Sequence, residues 1–214
     1  LEIKEEVMKT PFTAEQFFGV FSEYNTTVFP AQLIFLALGL IVLYLLHARS
    51  LLRSRLIGGF LGGLWLWVGV VYHLLFFTDI NKAAYAFGGL FILQSVLFLV
   101  ETFQKGRLKF DFQADARHYA GYFFVVFGLI LYPLIGFVLE ADWATTISLG
   151  LPCPTTILTF GLLMLTGNKF PKYLLIIPTL WAIIGTMAAF NWGVYQDFMM
   201  IIAAIAANIW LWRR

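Results

Sequence analysis

Charge is what this sequence most conspicuously lacks. Only 12% of its 214 residues are charged, against roughly 25% in a soluble domain that must cover itself with charge. A surface so poor in charge is not mostly turned to water, and lipid is the natural alternative solvent. The basic residues barely outnumber the acids, 14 to 12, leaving a net charge of +2. They are scattered between apolar runs, which excludes the basic patch of a nucleic-acid-binding protein. Cysteine is nearly absent: Cys153 stands alone, so there is no internal disulfide and no CxxC pair. Also missing are GxSxG, the phosphate-binding GxxxxGK[ST] loop and HExxH, along with any evident acid–base or nucleophile constellation, so enzymatic activity is disfavoured. No cleavable signal peptide is evident, since Leu1 to Lys9 is mixed in charge and the first long apolar run begins near Phe29.

What is present is hydrophobic, 61% of the chain, with a mean hydropathy of +0.84. Lipid tolerates only helices or closed barrels, because a backbone polar group there has no water to pair with. The apolar runs are continuous rather than alternating, which favours helices. Spans are expected near residues 29–47, 56–77, 84–103, 119–139, 151–167, 172–190 and 196–212. This predicts an all-α polytopic membrane bundle of about seven transmembrane helices. Pro152 and Pro154 open the fifth, where a first helical turn tolerates the missing N–H. The chain divides into an extracytoplasmic N-terminal segment, residues 1–28, and a seven-helix transmembrane domain, residues 29–214. Within the first, Thr13 to Tyr24 reads as a short amphipathic helix. Thr13 is its N-cap, Gln16 the capping-box partner, and Phe17, Phe18 and Phe21 its apolar stripe.

Basic residues set the expected orientation. Arg49, Arg53 and Arg55, then Lys105, Arg107, Lys109 and Arg117, then Lys169 and Lys172, and finally Arg213 and Arg214 fall on one side of a seven-span chain. The opposite loops hold Lys82 among acids. The N-terminus is therefore expected outside and the C-terminus in the cytoplasm. Spans one to three also align with spans five to seven. Leu64-Trp65 with Gly69 faces Leu180-Trp181 with Gly185, and Asp79 faces Asp197. Span four would be the linker of a three-one-three parallel repeat, a transporter device also used by the SWEET sugar carriers.

Gly58, Gly59, Gly62 and Gly63 form small-xxx-small pairs where a helix can approach closely, either within the chain or from a second copy or partner helix. Polar residues in lipid are costly and face a bundle interior or cavity, and here they gather toward the outer ends. Tyr24, Asn25, Gln32, Tyr72, His73, Thr155, Thr156 and Asp197 are the candidate substrate-binding residues of an outward-facing polar site. A small-solute or ion transporter or channel is the leading functional expectation. The alternatives are a membrane-embedded metal or redox protein using Cys153 and His73, and a non-catalytic membrane subunit. One histidine and one cysteine are two ligands short of a closed zinc site.

Several strings look familiar together: Phe12-Thr13-Ala14-Glu15-Gln16-Phe17-Phe18, Pro30-Ala31-Gln32, Gly69-Val70-Val71-Tyr72-His73 and Gly150-Leu151-Pro152-Cys153-Pro154-Thr155-Thr156. The chain resembles a group of bacterial multi-pass proteins, the domain-of-unknown-function family 6064, from about Pro11 onward. That resemblance implies a multi-span helical fold in the bacterial inner membrane. It brings no activity, cofactor or site residues with it.

Overall fold

The computed structural model describes residues 11–48, 52–140, 142–167 and 170–213. The segment Leu1 to Thr10 and the basic residues Arg49, Lys169 and Arg214 lie outside them. The fold is an all-α bundle, and the described residues contain no strand, only isolated bridges such as Phe110 to Thr166.

Helix α1, Ala14–Val28, begins at the expected capping box: Thr13 Oγ1 accepts from the Gln16 amide while the Gln16 side chain accepts from the Thr13 amide. Its inward stripe is Phe17, Val20, Phe21 and Tyr24. The chain then turns by 81° into α2, Ala31–His47. Helix α3, Arg53–Trp67, continues through a wider π-helical stretch, Val68–Phe76, to end near Asp79. Helix α4 is Ala84–Leu99, extended by a π-helical turn to Gln104. Helix α5, Ala116–Val126, runs through another such turn into α6, Tyr132–Glu140. Then follow α7, Pro152–Met164; α8, Ile176–Gly185; α9, Met187–Trp192; and α10, Phe198–Trp212.

Five helical stretches are long and apolar enough to cross a membrane: Arg53–Asp79, Ala84–Gln104, Ala116–Leu139, Lys172–Trp192 and Tyr195–Trp212. The bent pair α1–α2 makes up to six. The fifth expected span is the exception. Helix α7 has 13 residues, about 20 Å of rise, against a hydrocarbon core of about 30 Å. Every residue of α7 except Cys153 is buried. It is the core around which α5, α10, α8 and α3 pack. Glycines make the closest of these contacts: a Cβ on Gly161 would stand 2.6 Å from the Gly121 carbonyl oxygen of α5. Helix α2 is the opposite case, with Leu33, Ile34, Ile41 and Tyr44 more than half exposed. Such apolar exposure fits an integral membrane protein, for which lipid is the partner.

The two ends of the bundle are built differently. At one end the loops carrying the basic residues meet. Arg53 pairs with Asp111 at 3.2 Å, the Phe110 amide donates to Ser54 Oγ, and buried Arg117 donates to the Met164 and Thr166 carbonyls. Asp115 caps α5 by accepting from the His118 amide, which holds its carboxyl below its ordinary range. Glu101 accepts from Arg107 and Tyr173 and pairs with Lys105 at 2.9 Å. At the other end, α1, the 142–150 segment, α7's start and the α8–α9 turn come together around aromatic rings.

Candidate functional site

The site grows from the inward stripe of α1. The phenylalanines there meet the end of α3 and the end of α9: Phe12, just before α1, and Phe17 stack on Trp192 with centroids 5.0 and 4.3 Å away. Tyr72 stacks on Phe21 and Phe77 at 6.0 and 5.5 Å. Tyr72 and His73 are consecutive, and both are buried. They lie in the π-helical stretch, which departs from the ordinary one-face spacing of an α-helix.

These rings line a half-open pocket of about 280 Å³ whose wall includes Phe17, Phe21, Tyr72, Phe87, Cys153 and Trp181. Cys153 enters the wall because Pro152 starts α7 here, so the thiol sits in the first turn. Beneath it lies a small polar group. Cys153 sits beside Asp197, Tyr132 and Trp181, and the Tyr132 hydroxyl donates to Asp197 Oδ1. Both Tyr132 and Asp197 are buried, 0% and 1% exposed. Asp197 Oδ2 and Trp181 Nε1 have no hydrogen-bond partner among the described residues.

The expected site residues fall into separate sets. Tyr72, Cys153 and Asp197 belong to the pocket and the group beneath it. Tyr24, Asn25 and Gln32 have another task, bracing α1 and α2 against the segment before α7. Tyr24 accepts from Trp67 Nε1 at 2.7 Å and donates to the Gly150 carbonyl. Asn25 donates to the Ala144 and Thr146 carbonyls, and Gln32 donates back to Asn25. Asn25 and Gln32 edge a second, almost wholly apolar cavity of about 400 Å³ between α2 and α6. Thr155 and Thr156 lie in the enclosed core of α7, on the ladder where Thr159 donates to the Thr155 carbonyl and accepts from Trp65.

His73 stands in an aromatic box, with Phe91 at 4.8 Å, Trp181 at 5.1 Å and Phe87 at 5.8 Å. Neither ring nitrogen has a hydrogen-bond partner among the described residues. His73 and Cys153 each adjoin Trp181. Among the described residues no three His, Cys, Asp or Glu side chains converge as a metal site would require. The glycine face also resolves into parts. Gly58 and Gly62 receive Thr102 and Leu99 of the same chain, Gly59 faces Phe103, and Gly63 has open space before it.

Sequence reasoning did not single out Tyr132 or Phe87. Tyr132 lies in an apolar run where one hydroxyl carries no pattern, and Phe87 is one of 23 phenylalanines. Trp181 did carry a signal, as the counterpart of Trp65 in the aligned triplets.

Comparison with curated proteins and with solved structures gives no match. The sequence model of one family covers residues 14–214, nearly the whole of the bundle just described. The chain therefore belongs to DUF6064, a family of unknown function.

Proposed function

We propose that this integral membrane protein binds a small solute in the aromatic pocket and carries it across the bacterial inner membrane. In this reading the N-terminus and the pocket face outward, and the loops rich in Arg and Lys face the cytoplasm. The observation that carries it is the pocket itself: a half-open space at one end of the bundle, walled by aromatic rings with one thiol among them. Concave, mostly apolar sites with few polar groups are the usual form of small-molecule sites. The aligned triplets lend support to transport. The matched tryptophans Trp65 and Trp181 both pack on Phe91, at 4.3 and 5.2 Å, as related halves sharing an interface would. The first helices of the two triplets are less alike, α2 being largely exposed and α7 enclosed.

Cys153 is the sole cysteine, so a thiol reagent reports on the pocket alone. In right-side-out vesicles, a small membrane-impermeant methanethiosulfonate should modify Cys153 from outside, and a solute that occupies the pocket should slow the reaction. Modification should also stop flux of that solute in proteoliposomes. A thiol that reacts only after the membrane is opened would reverse the orientation. Flux that continues through the modified protein would remove the pocket from the path.

A further inference from the structure

We propose that the pocket takes a protonated amine carried on a small aromatic body, its ammonium group turned toward Cys153 and Asp197. This deepens the reading of the pocket as a solute site and rests on it. The first ground is the wall. Aromatic rings present the negative faces of their quadrupoles, which attract a cation and do nothing for an anion. Phe87 and Trp181 are the wall rings whose neighbours meet them edge-on, whereas Tyr72 and Trp192 are stacked on phenylalanines.

The second ground is charge. Asp197 is 1% exposed, yet none of the salt bridges among the described residues includes it. Its Oδ1 accepts from Tyr132, while Oδ2 has no N–H or O–H donor among the described residues and only the Cys153 thiol lies beside the carboxyl. A buried carboxylate that lacks a cation and half its hydrogen bonds is costly. An ionisable group so placed within a membrane span marks a site by default. An ammonium group that reaches past Cys153 to the carboxyl supplies both the missing charge and the missing N–H.

The third ground is position. Cys153 lines the pocket on one side and adjoins Asp197 on the other. Tyr72, also in the wall, lies within electrostatic reach of both. The carboxylate field therefore reaches the cavity through a single side chain. A neutral solute leaves Oδ2 unpaired, and a carboxylate solute is repelled.

The test uses three probes of one shape: phenethylammonium, phenethyl alcohol and 3-phenylpropionate, titrated calorimetrically into the full chain in detergent at neutral pH. Phenethylammonium should bind about tenfold or more tightly than the alcohol, the usual margin of a hydrogen bond to a charged group, and 3-phenylpropionate most weakly. Asp197→Asn should bring the ammonium down to the alcohol and leave the alcohol unchanged. Tyr132→Phe, which keeps the charge, should preserve the preference. Equal binding of ammonium and alcohol overturns the inference and leaves the pocket standing, and the wild-type series decides this even if Asp197→Asn does not fold. A preference that survives Asp197→Asn also overturns it. Binding of none of the three removes the pocket reading and the inference together.

Discussion

Glu101 and Asp197 are both carboxylates with no more than 1% of their surface exposed, and they have opposite surroundings. Glu101 is met by Arg107, Lys105 and Tyr173. Those partners tie the end of α4 to the following loop and to the chain entering α8. Asp197 is met by Tyr132 and by a thiol, with no cation. A buried acid that is fully paired fastens helices together, and its neighbours leave it nothing further to bind. A buried acid that is half paired has capacity left for something that arrives. The same contrast runs through both ends of the bundle. The end with the basic loops is dense in ion pairs, while the α1 end holds the aromatic pocket.

Substitutions at the two acids test that contrast most sharply. Glu101→Ala should cost the most, about 2–3 kcal/mol. That is less than a fully buried pair, because Lys105 and Arg107 are 49% and 41% exposed and water screens them. A melting temperature in detergent equal to that of the wild type would end the view of Glu101 as a fastening. Tyr132→Phe should come next, at about 1–2 kcal/mol, since it takes the hydroxyl donor from a buried carboxylate. Asp197→Asn should stay within about 1 kcal/mol of the wild type, because the amide oxygen still accepts from Tyr132 and an unpaired charge is removed. If it destabilises as much as Glu101→Ala does, the two acids are alike and the contrast fails.

The smallest effect is a pH dependence at the basic-loop end. Asp115 titrates below its ordinary value in the folded chain, first because the His118 amide donates to it. Its contribution is therefore complete above about pH 4 and is lost as the pH falls through the lowered folded value. The wild type should lose its margin over Asp115→Asn in that acid range. A constant margin down to pH 3 would show that the charge of Asp115, as distinct from its cap, contributes nothing.

The helices were legible in the sequence, because a run of some 20 apolar residues has few other uses. Thr13 and Gln16 announced the first helix through the capping box. Two things were hidden. The length of α7 was one, since apolar residues run on past Met164 into a turn, and hydropathy cannot tell a helix facing lipid from one wrapped in protein. The sorting of polar residues was the other. Depth along the chain grouped Tyr24, Asn25, Tyr72 and Asp197 as one outward-facing site. Which of them are consumed by backbone carbonyls in the 144–150 segment depends on contacts more than 100 residues apart in sequence, and no local pattern encodes those.

The enclosure of α7 bears on how the protein is made. A helix with a lipid-facing side can rest in the bilayer alone and find its neighbours afterwards. At 13 residues, with α5 and α10 both packed against it, α7 has no such intermediate resting place. It is fully seated only when α10, which comes later in the chain, closes around it. Helix α10, fifteen residues long, thus acts as the keystone that closes the bundle around α7.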